Sequence, residues 1–257
     1  MSDISKIVGV DIATIAKINN IAIGDIGSVG GADIPSGFVP VGSPVVSLDS
    51  DDLSALSDGD PIETWVNNGS GANLTAAGAE RPSFQSDGGS LLNTHPTVNF
   101  AAGQQMVSGI TLPNDGITVF AVFKADGEAN RYVMGAEEAS PFTRLCVGAD
   151  NGPTTFGMWK GSTSVQALTL ANLVPTNWYI LAVAIAADGS STFYVNNTTG
   201  AGHQSAVTDA NLSFALASNT YRGLVGSIAN IIVYDSVLSS GDINTNIAGL
   251  NTKYSIY

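Results

Sequence analysis

Five aspartates fall within twelve residues, Asp49, Asp51, Asp52, Asp58 and Asp60, and calcium prefers oxygen donors gathered in this way. Asp49, Asp51 and Asp52 are the candidate ligands. Their spacing is not that of an EF-hand loop, and the same residues serve equally to start a strand and cap a short helical turn over 50–56. Glycoside hydrolysis asks for something else, a retaining acid and nucleophile about 5 Å apart. Glu137 and Glu138 are adjacent and would leave a strand on opposite faces, while Glu63, Glu80 and Glu128 stand alone. His95 precedes Pro96, and His203 closes the loop-like run from Thr199. Neither histidine adjoins a Gly-x-Ser-x-Gly elbow, so no catalytic residue is assigned. Cys146 is the single cysteine, which rules out an intrachain disulfide and a Cys-rich metal site. In the run Thr143-Arg144-Leu145-Cys146-Val147 it reads as a small buried hydrophobe.

Sugars stack their C–H faces on aromatic rings and hydrogen-bond to amides. Trp159, beside Lys160-Gly161, and Asn67 and Asn68, in the turn Asn67-Asn68-Gly69-Ser70, are therefore the candidate glycan contacts. Trp65 and Trp178 sit in strand-like runs and read as core, a reading that stays open for Trp159 too.

Such residues need a scaffold, and composition bounds it. Of 257 residues 44% are hydrophobic and 12% charged, so Gly, Ser, Thr, Asn and Ala must cover the surface, as in a chain of many short strands and turns. Nine Lys and Arg against 22 Asp and Glu give a net charge of −13, which repels nucleic acid and anionic lipid. Neither partner is expected. With no basic opening and no apolar run of about 18 residues, no signal peptide or membrane span is expected. Synthesis in a cytoplasm follows, and the sequons at Asn68, Asn73, Asn197 and Asn211 are then unused.

The first segment repeats with a period of 11: Ile4 to Val10, Ile15 to Ile21, and a fading copy from Ile26 to Gly30. β-Branched residues and Gly9, Gly24, Gly27, Gly30 and Gly31 favour short strands and tight turns over a helix. A segment of about 30 residues cannot bury its own apolar faces. Ile4, Ile7, Val10, Ile15, Ile18, Ile21 and Ile26 are thus expected to form an anchoring or oligomer interface, the alternative being an edge strand of the main domain. Residues 1–31 are read as this segment, 32–44 as a Gly/Pro/Ser linker stiffened by Pro35, Pro40 and Pro44, and 45–257 as the main domain.

Within that domain Ile117–Phe123 and Trp178–Ile185 are apolar on both faces and should be central strands. Asp188-Gly189 supplies the reversal into Thr192–Val195. One helix is expected at the end, where Ser239 and Asp242 form a capping box and Ile243, Ile247, Leu250 and Tyr254 share a face.

The run from Leu48 to Trp65 resembles the opening of concanavalin-A-like, laminin-G-type jelly rolls. Arg81-Pro82-Ser83-Phe84 and Pro96-Thr97-Val98-Asn99-Phe100 resemble the next strands, Gly226–Asp235 the penultimate one, and Leu238-Ser239 with Lys253-Tyr254 the family's closing helix. The likeness covers about 45–257 and implies an all-β concanavalin-A-like jelly-roll sandwich with a C-terminal amphipathic helix, behind a short N-terminal β-repeat. The units Lys6-Ile7-Val8-Gly9-Val10 and Lys17-Ile18-Asn19-Asn20-Ile21 resemble segments near the N-termini of phage virion proteins. That resemblance implies a non-enzymatic virion-surface protein of the capsid decoration, head-fibre or tail-fibre type, attached to a capsid or tail shell. A homotrimer is expected as well, because a symmetric assembly lets the short repeats share one apolar axis, and the jelly roll is expected to serve as a lectin-like domain for cell-surface glycan. A carbohydrate-binding module of a cellular adhesin is the alternative, followed by a glycoside hydrolase with an unrecognised site. No cofactor is expected beyond the candidate calcium.

Overall fold

The computed structural model describes the backbone of residues 38–113, 116–126, 131–136, 146–149, 155–160, 163–169, 177–188, 190–203, 212–217 and 223–257, with six short strands in the first 37 residues. Side chains are described for 38–113, 116–126, 132–135, 177–188, 190–200, 214–217 and 223–257. The chain divides into two compact units, Met1–Val39 and Pro40–Tyr257.

The smaller unit contains three antiparallel ladders. Lys6–Ile7 pairs with Val10–Asp11, Lys17–Ile18 with Ile21–Ala22, and Ser28–Val29 with Ala32–Asp33. Each ladder has the same register, one apolar or small pair next to the two intervening residues (Ile7↔Val10, Ile18↔Ile21, Val29↔Ala32) and one outer pair (Lys6↔Asp11, Lys17↔Ala22, Ser28↔Asp33). The intervening residues, Val8-Gly9, Asn19-Asn20 and Gly30-Gly31, are rich in the types that two-residue hairpin loops demand. The repeat thus runs on past Gly31 to Asp33, beyond the fading copy seen in the sequence. Ile7, Val10, Ile18 and Ile21 lie on these ladders, whereas Ile4, Ile15 and Ile26 fall outside the described residues.

The larger unit is a sandwich of two antiparallel eight-stranded sheets. In the first, Ile117–Ala125 lies between Gly226–Tyr234 and Trp178–Ile185, so the two runs read as central strands pair directly, Val119 opposite Val183. Ser190–Val195 and Thr198–His203 continue it as a meander on one side. On the other side Gly226–Tyr234 carries both Thr97–Phe100 and the opening strand Val46–Asp49. The second sheet runs from Thr163–Thr169 through Thr155–Lys160, Cys146–Ala149, Arg131–Ala136, Leu212–Leu216 and Met106–Leu112 to Leu74–Thr75 and Thr64–Trp65.

Alternation along each strand divides the apolar residues. Val119, Ala121 and Phe123 meet Tyr179, Leu181 and Val183 in the inter-sheet core, with Trp65, Phe214 and Leu216 from the second sheet. Phe120, Ile232 and Tyr234 are buried outside that core cluster, which needs a third layer, and the helix Ser240–Tyr254 supplies it. Ser239 caps the helix, its Oγ accepting from the Asp242 N–H at 3.1 Å, and Ile243, Ile247, Leu250 and Tyr254 are buried beneath it. The helix lies against Trp178–Ile185, and its buried Asn246 donates from Nδ2 to the Tyr234 hydroxyl at 3.2 Å. Residues 40–44, read above as the end of the linker, group with this unit. Val41 donates to Asn246 Oδ1 at 2.8 Å and accepts from the Tyr234 hydroxyl at 2.6 Å. Among the described residues no helix is long and apolar enough to cross a membrane.

Candidate functional site

Among the described residues the densest group of charged side chains forms where the opening strand meets the end of the helix. Asp49, opposite Asn230 in the sheet, ends its strand in an extended conformation and caps the 3-10 turn Ser50–Leu53, its Oδ1 accepting from the Asp51 N–H at 3.1 Å. The turn projects Asp51 back towards the helix. Lys253, in the last helical turn, places Nζ 2.5 Å from Asp49 Oδ2 and 2.7 Å from Asp51 Oδ2, with its side chain only 5% exposed. His95 Nδ1 stands 3.0 Å from Asp51 Oδ1, and its ring meets Tyr254 edge-on at 5.1 Å. The Tyr254 hydroxyl is 3.4 Å from Asp49 Oδ1. Trp65 Nε1 donates to the Asp49 carbonyl at 3.0 Å and Asn93 Nδ2 to the Lys253 carbonyl at 3.3 Å, so the backbone on both sides is fixed.

Electrostatics follow from this packing. Burial by itself would raise the Asp51 carboxyl, but hydrogen bonds from His95 and Lys253 and their charges outweigh it and hold the pKa below its ordinary value. Burial raises Asp52, and Asp49 adds to the rise, against a hydrogen bond from Asn68. Tyr254 is pushed well above the usual phenol range by burial and then by the charges of Asp49 and Asp51. Because the folded Asp51 binds its proton less readily than the unfolded one, its contribution to stability is full above the ordinary aspartate pKa. It is lost as the pH falls through the lower folded value. A melting series down through that acid range is expected to show a fall in midpoint that Asp51→Asn removes, and an unchanged acid profile in that variant would refute the assignment.

The three aspartates marked as calcium ligands are therefore divided between two environments. An ammonium stands between Asp49 and Asp51, and Asp52 accepts from Asn68 Nδ2 at 2.7 Å. Among the described residues no group of three or more His, Cys, Asp or Glu could hold a metal ion. Of the candidate glycan contacts, Asn67 is buried and its amide is fully engaged with backbone. Oδ1 accepts from Ser47 N–H at 2.7 Å and Gly69 N–H at 2.9 Å, while Nδ2 donates to Val45 O at 2.9 Å and Ala72 O at 3.3 Å. Asn67 holds the turn and Asn68, next to it, is exposed. Trp159 lies on Thr155–Lys160, in register with Cys146 and Ser164, and its side chain is outside the described residues. His203, read as a loop residue, ends a strand opposite Ser190. Trp65 and Trp178 are buried as expected.

In the sequence Lys253 belongs only to a closing motif, and Tyr254 to that motif and to the apolar face of the helix, both apart from the aspartates. Opening and closing motifs of one fold are brought together wherever its first strand and last helix pack, and that was the signal linking them.

A family model described as concanavalin A-like lectin/glucanases superfamily, of the laminin G type, matches residues 92–244, more than half of the chain. The chain belongs to the concanavalin A-like lectin/glucanase superfamily. Solved structures agree on the superfamily fold. Domain 4 of AbnA, a GH43 extracellular arabinanase from Geobacillus stearothermophilus in complex with arabinotriose, superposes with a TM-score of 0.60 at 15% identity, over 80% of this chain and 98% of that one. Trypanosoma rangeli sialidase gives 0.56 at 17% identity, over 83% of this chain and 33% of its own. A GH54 α-l-arabinofuranosidase variant gives 0.58 at 10%, over 82% and 60%. At these identities the likeness is one of fold. The chain spans a third of the sialidase and almost all of the arabinanase domain. A search of the curated proteins finds no match.

Proposed function

We propose that the chain is a non-enzymatic protein of a bacteriophage virion surface, of the capsid decoration, head-fibre or tail-fibre type. Its N-terminal hairpins dock on the capsid or tail shell, and the superfamily sandwich is displayed for attachment to glycan or the host surface. The observation that carries this reading is the set of three hairpins with an 11-residue repeat, in a unit separate from the sandwich. Two ladder pairs per hairpin are far too few for independent stability, so Ile7, Val10, Ile18 and Ile21 call for another surface. A homotrimer sharing one axis meets that need, since a closed symmetric assembly lets each copy cover the others.

The chemistry of the strands supports a binding role. Among the described residues the strands of the two large sheets carry one carboxylate, Asp49, and it faces Lys253, whereas hydrolysis between strands needs two free ones. Deleting residues 1–31 is expected to leave a soluble, cooperatively melting sandwich that no longer bands with particles in a density gradient. Co-banding of the truncated protein would end the anchoring idea. A carbohydrate-binding module of a cellular protein is the second reading, favoured by the near-complete superposition on the arabinanase domain in complex with arabinotriose. Particle association separates the two readings, because only the first requires it.

A further inference from the structure

The contact between Lys253 and Asp49 has the parts of a bond-forming site. The amine is 2.5 Å from Asp49 Oδ2. The other oxygen of that carboxyl, Oδ1, accepts from the Asp51 N–H at 3.1 Å and stands 3.4 Å from the Tyr254 hydroxyl, two donors placed where charge would collect during attack. A second carboxylate, Asp51 Oδ2, lies 2.7 Å from the same amine. Across the sheet from Asp49, Asn230 keeps a buried Oδ1 with no hydrogen-bond partner among the described residues, an acceptor available to a new N–H.

We propose that Lys253 Nζ and Asp49 Cγ join spontaneously in an amide bond, with Asp51 as the base. Asp51 takes one proton from the ammonium, the freed amine attacks Cγ, and the oxyanion on Oδ1 is held by the Asp51 N–H and the Tyr254 hydroxyl. Oδ2 then leaves as water. Of the three ammonium protons one stays on the amide nitrogen and two depart on Oδ2, the first carried by Asp51, so the reaction needs no oxidant, metal or cofactor. Two features favour it. Fixed neighbours react as though at very high effective concentration, and the amide replaces a desolvated charge pair by a neutral group. Burial keeps Tyr254 protonated and able to donate. The product would weld the opening strand to the closing helix across 204 positions of sequence.

Trypsin digestion of the unfolded full-length chain, followed by mass spectrometry, tests this. The expected product is a branched peptide joining 18–124 to 223–257, since trypsin passes over the Arg81-Pro82 bond, lighter by one water than its two parts, with no cleavage after Lys253. Separate peptides of full mass, with cleavage after Lys253, would overturn the proposal. Asp51→Asn, checked for a cooperative melt, is expected to lose the branched peptide, and complete cross-linking in that variant would likewise count against it. The wild-type digest decides the question even if the variant does not fold.

Discussion

Lys253→Ala lowers the melting midpoint of the sandwich more than any other single charge substitution. The side chain is 5% exposed and lies between two carboxylates that are 18% and 38% exposed. Removing it leaves Asp49 and Asp51 facing each other, with the His95 ring nitrogen 3.0 Å from Asp51. Breaking a buried pair by deleting one partner costs about 3–5 kcal/mol, and the partial exposure of Asp51 argues for the lower figure. For a domain of this size about 3 kcal/mol corresponds to a drop of roughly 6–12 °C. Any cross-link would add to the loss. The triple variant Lys253→Met with Asp49→Asn and Asp51→Asn is expected to recover most of the part due to unpaired charge, because no charge is then left unpaired, and none of the part due to a cross-link. Thermal denaturation of the three proteins checks this, and equal midpoints for wild type and Lys253→Ala would show that the cluster contributes nothing.

Asn67→Ala is the second large effect, at about 3 kcal/mol. One substitution leaves the Ser47 and Gly69 N–H groups and the Val45 and Ala72 carbonyls without the partner they have now, and each unsatisfied buried group costs about 1–3 kcal/mol, less where water reaches it. Gly69 sharpens the point, since a Cβ there would lie 2.5 Å from the Val45 carbonyl oxygen, so the turn cannot relax towards the strand. Asn68→Ala, which removes one exposed hydrogen bond to Asp52, is expected to change stability by less than about 0.5 kcal/mol. Urea denaturation of the two neighbours gives the contrast, and similar losses at both positions would contradict the division of roles.

These two sites mark how far the sequence could be read. Strand and helix positions were legible because period-2 and helical alternation report burial directly. Ile117–Phe123, Trp178–Ile185 and the Ser239 cap appear where alternation placed them. The aspartates were visible as a cluster, but a carboxylate's role depends on which cation reaches it, and Lys253 arrives from 204 positions away. Asn67 looked available for sugar because composition marks amide-rich turns without saying whether the amide turns inward. The 11-residue repeat showed its period in the sequence and its third hairpin only through the ladder Ser28↔Asp33, since Ser28-Val29 and Ala32-Asp33 have lost the large apolar residues that made the first two copies recognisable.

Val41 and the final residues are tied to the same helix, Val41 through Asn246 and Tyr257 through Asn251. The sandwich therefore receives its chain and releases it along one short rod of fifteen residues. A module with neighbouring ends can be grafted into a surface loop of an unrelated protein without prying that loop apart.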